Sequence, residues 1–212
     1  MNKTLLCLSR SRYVLFCAAI HLLLPASGNP ADKYFRSDAG IANSAVSLPD
    51  NLGASERLRW RVALDSGHST PILHAGKLFL TTWGPETKEL ATVALDAESG
   101  RLLWRSALTP ERVEQTHAIG NPATGTIACD GQRVFAFFGS AGVFCHDVDG
   151  HKLWEQRLGP FRDEYGAGSS PILCDGKIIL NQDHDTDSFL IALNSTNGQV
   201  LWKAARPDAT AA

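Results

Sequence analysis

The sequence predicts an all-β chain, a partial β-propeller of about three four-stranded blades plus a leading strand. The first observation behind this is a recurring phrase that ends in tryptophan. It reads ALDAESGRLLW over residues 94–104, HDVDGHKLW over 146–154 and ALNSTNGQVLW over 192–202, with LRW over 58–60 standing alone one period earlier. Trp60, Trp104, Trp154 and Trp202 are 44, 50 and 48 residues apart, a period long enough for one supersecondary unit. A second shared phrase precedes the endings: STPILHAGKLFL at 69–80, SPILCDGKIIL at 170–180, and a looser GTIACDGQRVFA at 125–136. The third observation is that nothing between 58 and 203 carries a helical period. A recurring four-stranded unit of this length is a propeller blade.

Taken in order, the first 28 residues read as a signal peptide. Lys3, Arg10 and Arg12 are followed by an apolar run from Tyr13 to Leu24 and then by Pro25, Ala26, Ser27 and Gly28, the charge, apolar and small-residue order of export. The run is short for a bilayer-spanning helix, so no transmembrane segment is expected after cleavage; retention as an N-terminal anchor is the alternative. Cys7 follows Leu6 and Cys17 follows Phe16, where a lipoprotein signal wants a small residue. Residues 29–56 form an irregular segment, 57–206 the blades and 207–212 a tail. Leu58 to Leu64 is expected to be the leading strand.

Within a blade, Ala75-Gly76 and Asp175-Gly176 supply the positive φ of a two-residue hairpin, and Ser99-Gly100 and Asn197-Gly198 mark a second hairpin. The flanks are rich in Val, Ile, Leu and Phe, as strands covered on both faces are. Of the cysteines that follow the signal, Cys129, Cys145 and Cys174 all lie in apolar strand-like runs and are expected as buried thiols.

Net charge is −2 and no Lys/Arg cluster follows residue 12. Nucleic acid is therefore excluded as a main partner, because phosphate binding needs a basic face. Candidate binding residues are Arg162, Asp163, Glu164 and Tyr165 in the connection between the second and third units, with His117 in the preceding connection. Local Arg–carboxylate pairing is the alternative reading. Asp183, Asp185 and Asp187 alternate as hard-cation ligands do, but a calcium loop would want Gly at Ser188 and Glu at Asn194. A solvated acidic hairpin is the reading preferred. Ser169, Ser170, His146 and Asp147 resemble a triad only in composition, since neighbours on a strand point to opposite faces.

The phrase at 94–104 resembles the tryptophan-docking repeat of the pyrroloquinoline-quinone (PQQ) propeller family, and 192–202 is a near copy with Asn194 in the Asp place. The middle copy departs, with Asp149-Gly150 shortening the turn and His146-Asp147 replacing Ala-Leu. The resemblance covers roughly residues 55–206. It implies that Trp60, Trp104, Trp154 and Trp202 dock each outer strand on the next blade's turn, and that a closed ring would hold seven or eight blades. The expectation is thus a truncated product, with obligate assembly, or self-association through open blade edges, as the alternative. A quinone enzyme of the family would also need adjacent cysteines, a carboxylate base and calcium ligands. No adjacent cysteine pair or haem-attachment Cys-x-x-Cys-His occurs. No catalytic residue, cofactor or metal is therefore expected. The function expected is a non-catalytic, exported interaction or scaffold module, periplasmic or extracellular, with an unidentified protein partner. In repeat type it is similar to the propeller lipoproteins that support outer-membrane barrel assembly. A remnant of a quinone-dependent alcohol or sugar dehydrogenase is the alternative.

Overall fold

A computed structural model describes residues 58–163 and 165–207 of the chain. The signal peptide, the segment 29–56, Glu164 and the tail from residue 208 lie outside the described residues. Twelve strands form three antiparallel sheets of four. Blade one contains β1 (Ile72–His74), β2 (Lys77–Gly84), β3 (Glu89–Asp96) and β4 (Leu102–Leu108). Blade two contains β5 (Ala128–Cys129), β6 (Arg133–Phe137), β7 (Val143–Asp147) and β8 (Lys152–Gln156). Blade three contains β9 (Ile172–Cys174), β10 (Lys177–Gln182), β11 (Phe189–Asn194) and β12 (Val200–Ala205). Each sheet runs in chain order. Among the described residues the only helical element is a single 3-10 turn, Gly139–Ala141.

The hairpins follow from turn chemistry. Ala75 and Gly76 have φ of 46° and 75°, and Asp175 and Gly176 of 46° and 70°, so both central residues are left-handed and His74 pairs with Lys77 as Cys174 pairs with Lys177. At the β3–β4 type of hairpin, Asp96 and Asn194 accept backbone N–H bonds from Ser99 and Thr196, both at 2.8 Å. These local bonds fix the turn before any packing. All three blades place one extra residue on the outer strand directly before the tryptophan: Leu103, Leu153 and Leu201 are bulged, and Trp104, Trp154 and Trp202 face Ala94, Cys145 and Ala192. The bulge turns each indole toward the next blade.

Strand alternation then divides the core. In β6, Val134 and Ala136 pack against Phe79, Leu90 and Ala94 of blade one. Phe135 and Phe137 face the opposite way, against Ile178, Leu180 and Leu193 of blade three. A two-residue period thus gives one strand two apolar faces, each buried in a different inter-blade core. Along the innermost edge, Thr70 N–H donates to Thr126 Oγ1 and Thr126 N–H to Ser170 Oγ, both at 3.0 Å. These three residues occupy one repeat position, so a single polar bond is copied from blade to blade.

Two expectations are corrected. Leu58 to Leu64 is no strand: its backbone makes no ladder, and the first pairing is an isolated bridge between Ser66 and Trp83. The segment lies across the face of blade one instead of beside an edge, with Trp60 and Val62 packed on Ala91, Val93 and Leu95. Cys174 is exposed whereas Cys129 and Cys145 are buried, because β9 is a three-residue inner strand whose end residues face neither core.

Candidate functional site

The docking tryptophans come first, since they hold the connections in place. Trp60 Nε1 donates to the Ala97 carbonyl, Trp104 Nε1 to that of Val148 and Trp154 Nε1 to that of Ser195, each at 3.1 Å. Each acceptor is the residue after the Asx that caps the turn. Each indole lies flat on the turn glycine: a Cβ added at Gly100, Gly150 or Gly198 would stand 2.5, 2.7 and 2.5 Å from ring atoms. The ring thus buries apolar area while its one donor is satisfied. Trp154 is 9% exposed and Trp202 is 40% exposed. Blade two keeps the contact despite its shorter turn, because Asp147 Oδ1 accepts from both Asp149 and His151 N–H at 2.9 Å.

On the face where the connections run, the structure joins two groups of residues that the sequence kept apart. The Asp185 N–H donates to the Arg162 carbonyl at 2.9 Å, and Arg162 Nε stands 3.9 Å from Asp185 Oδ2. The acidic hairpin and the connection between blades two and three are therefore one surface. Asp163 accepts from Tyr165 N–H at 2.8 Å, and the Tyr165 ring lies 5.9 Å from that of His117 in the preceding connection. The connection is fastened at Ser140, which accepts from Phe161 N–H through Oγ at 2.7 Å and donates its own N–H to Glu114. Between the two connections is an open cleft of about 650 Å³ lined by Arg112, Glu114, Gln115, Phe161, Arg162, Asp163 and Asp185. Tyr165 and Ile119 are 65% and 82% exposed. Arg112, Glu114 and Gln115 were not found by sequence reasoning; the connections share no repeat, so no pattern marks them.

The three aspartates take separate partners. Arg206 bonds Asp183 at 2.7 and 3.2 Å, and Asn181 adds a third bond at 2.9 Å. The Arg206 bond holds the Asp183 carboxyl below the usual carboxylate range. Asp185 turns to Arg162, and Asp187 sits at φ 58° beside a different crevice with His184 and Lys203. Among the described residues no three His, Cys, Asp or Glu side chains converge as metal ligands. Nor do the cysteines approach the pattern a quinone site requires: Cys129 and Cys145 belong to opposite inter-blade cores and Cys174 to the inner edge. The described residues do not fit a quinone-and-calcium centre.

His146 and Ser106 do meet, Nε2 to Oγ at 2.8 Å, but between blades one and two, where His146 is 2% exposed. Burial pushes the imidazole pKa down to about 4. A neutral ring buried beneath Trp104 at 5.8 Å bonds one blade to the next and has no access to substrate.

A family model described as outer membrane protein assembly factor BamB matches residues 89–212, more than half of the chain. The chain belongs to this PQQ-like repeat family. Among curated relatives, the PQQ-like repeats are 22% identical over 154 residues to quinohemoprotein alcohol dehydrogenase ADH IIB of Pseudomonas putida, covering 69% of this chain and 21% of that protein. They are 24% identical over 194 residues to the dehydrogenase subunit of the quinone alcohol dehydrogenase of Gluconobacter oxydans, covering 83% of this chain and 25% of that protein. The chain thus spans a quarter or less of these relatives. Quinohemoprotein alcohol dehydrogenase ADHIIG of Pseudomonas putida superposes with a TM-score of 0.55 at 21% identity, over 69% of this chain and 22% of that one. A europium-containing methanol dehydrogenase superposes at 0.52 and 13% identity, over 68% and 25%. Both share the propeller fold.

Proposed function

We propose that this PQQ-like propeller chain is a non-catalytic, exported interaction module that binds a protein partner on its connection face. The observation that carries the reading is the cleft between the two connections. Its charges bond to neighbouring loops (Arg162 with Asp185, Glu114 with Ser140) and do not aim at one reacting point, while Tyr165 and Ile119 project beside it. Aromatic and Arg side chains on loops held by a rigid scaffold are the usual anchors of protein recognition. The family model's description as an assembly factor supports a binding role. Export rests on the order of residues in the first 28. N-terminal sequencing of envelope or secreted material is expected to find Met1 absent, and intact Met1 in a cytosolic fraction would count against it.

The binding role is tested with a photoreactive residue in place of Tyr165 and, as control, in place of Leu73 at the inner edge. A single crosslinked protein seen only from position 165 and lost with Arg162→Glu supports the reading. Equal crosslinking from both positions overturns it.

The names of the curated relatives favour a second reading, a quinone-dependent alcohol dehydrogenase. Reconstitution with the quinone and calcium, followed by dye-linked alcohol and sugar oxidation, separates the two. Activity above the apoprotein would replace the first reading with the second.

A further inference from the structure

We propose that the open side of blade three docks a second copy of this chain, head to tail, in the place that residues 59 and 60 hold on that copy's blade one. Within the chain, each blade joins the next through three copied contacts. The indole donates to the carbonyl after the turn Asx, as Trp104 does to Val148 and Trp154 to Ser195. The basic residue that opens the second strand reaches the turn residue two past the Asx: Lys77 Nζ bonds Asp149 at 2.7 Å and Arg133 Nη1 bonds Thr196 at 2.8 Å. The inner-edge N–H donates to the next hydroxyl, Thr70 to Thr126 and Thr126 to Ser170.

Blade three carries the same three donors in Trp202, Lys177 and the Ser170 N–H. Trp202 is 40% exposed, and Lys177 Nζ bonds its own hairpin at Asp175 O. Blade one carries the matching acceptors. The Ala97 carbonyl lies over Gly100, Glu98 stands two past Asp96, and Thr70 is exposed at the inner edge. Two of these are held by a stand-in: Trp60 bonds Ala97 at 3.1 Å and Arg59 bonds Glu98 at 2.8 Å. That segment makes no ladder before the bridge at Ser66, and its ion pair is 72% and 84% exposed, so little holds it. A second copy replaces Trp60 with Trp202 and Arg59 with Lys177, and adds the Ser170 N–H to Thr70 Oγ1 of that copy. Two copies make six blades, inside the four to eight of closed propellers. Reciprocal docking therefore closes a ring. The proposal is independent of any partner on the connection face.

Light scattering with size-exclusion chromatography of the purified chain over a concentration series tests it. A dimer is expected for the parent. Trp202→Ala and Lys177→Glu are each expected to weaken it by about tenfold or more, as loss of a central anchor does. Arg59→Glu, an exposed change that repels the stand-in from Glu98, is expected to strengthen it by about tenfold. Far-UV circular dichroism checks that each variant keeps its sheets. A parent chain that stays monomeric, an unchanged dimer in Trp202→Ala, or a weaker dimer in Arg59→Glu overturns the proposal.

Discussion

Blades two and three differ in a way opposite to their sequences. Blade three repeats the tryptophan phrase almost residue for residue, yet every residue of its outer strand β12 is exposed. Blade two departs from the phrase, with a shortened turn and His146-Asp147 where Ala-Leu is expected, yet β6 and β7 are buried along nearly their whole length. Fidelity to the repeat thus sets the local hairpin, and neighbours set the burial. Blade two has an apolar core on both sides, and blade three has one among the described residues.

The largest effect that separates the two is tryptophan truncation. Trp154→Ala is expected to cost about 3–5 kcal/mol, because it empties a packed inter-blade site and leaves the Ser195 carbonyl without its donor. Trp202→Ala is expected to cost about 1 kcal/mol or less in the dilute monomer, as partly exposed positions do. Urea midpoints of the two variants compare them. Equal losses would show that Trp202 is as well packed as Trp154.

Acid separates the two interfaces of blade two. At the boundary with blade one stands the buried His146, and at the same repeat position of blade three stands Leu193. The folded imidazole takes its proton near pH 4 and the unfolded one near 6.5. Between those values the unfolded chain binds more protons, so stability is complete above pH 6.5 and drains as pH falls toward 4. The loss attached to this group is about 3 kcal/mol. Asp147 and Glu155, whose carboxyls are held below their ordinary range, contribute in the same direction at lower pH. The difference between parent and His146→Gln, followed by urea unfolding at pH 7 and pH 4.5, isolates the histidine; parallel losses in both would remove it as the cause.

Two glycines of blade three sharpen the comparison further. Gly176 and Gly198 both have positive φ, 70° and 73°, but a Cβ at Gly176 meets nothing within 4 Å and one at Gly198 meets the Trp154 ring at 2.5 Å. Gly176→Ala should carry only the left-handed backbone penalty of about 1–2 kcal/mol. Gly198→Ala should cost about 1–3 kcal/mol more, from the displaced indole, and it should raise Trp154 fluorescence exposure while Gly176→Ala does not.

The smallest effect belongs to the connection face. Arg162 is 81% exposed at its side chain and 3.9 Å from Asp185, so Arg162→Ala should change stability by no more than about 0.5 kcal/mol. A larger loss would make this contact part of the scaffold instead of a binding surface.

The sequence by itself determined the blades. Hairpin turns are specified within a few residues, by Ala75-Gly76, Asp175-Gly176 and the Asx-to-Gly turns, and strand alternation assigns each apolar residue to one of two faces. A repeated phrase therefore carries its own structure. Tertiary structure decided what the repeat does not encode. Leu58 to Leu64 has the composition of a strand but lies across blade one, because a strand also needs an edge to pair with. Cys174 shares its apolar run with buried residues and is exposed, because run composition does not say whether a neighbour covers it. The candidate cleft was legible only in part. Arg162, Asp163 and Tyr165 stood out in their loop, but Arg112, Glu114 and Gln115 lie in another connection, and Asp185 in a hairpin more than twenty residues on. Only packing of the blades brings those separate loops onto one face, since loop residues carry no period and their meeting is fixed by the cores beneath them.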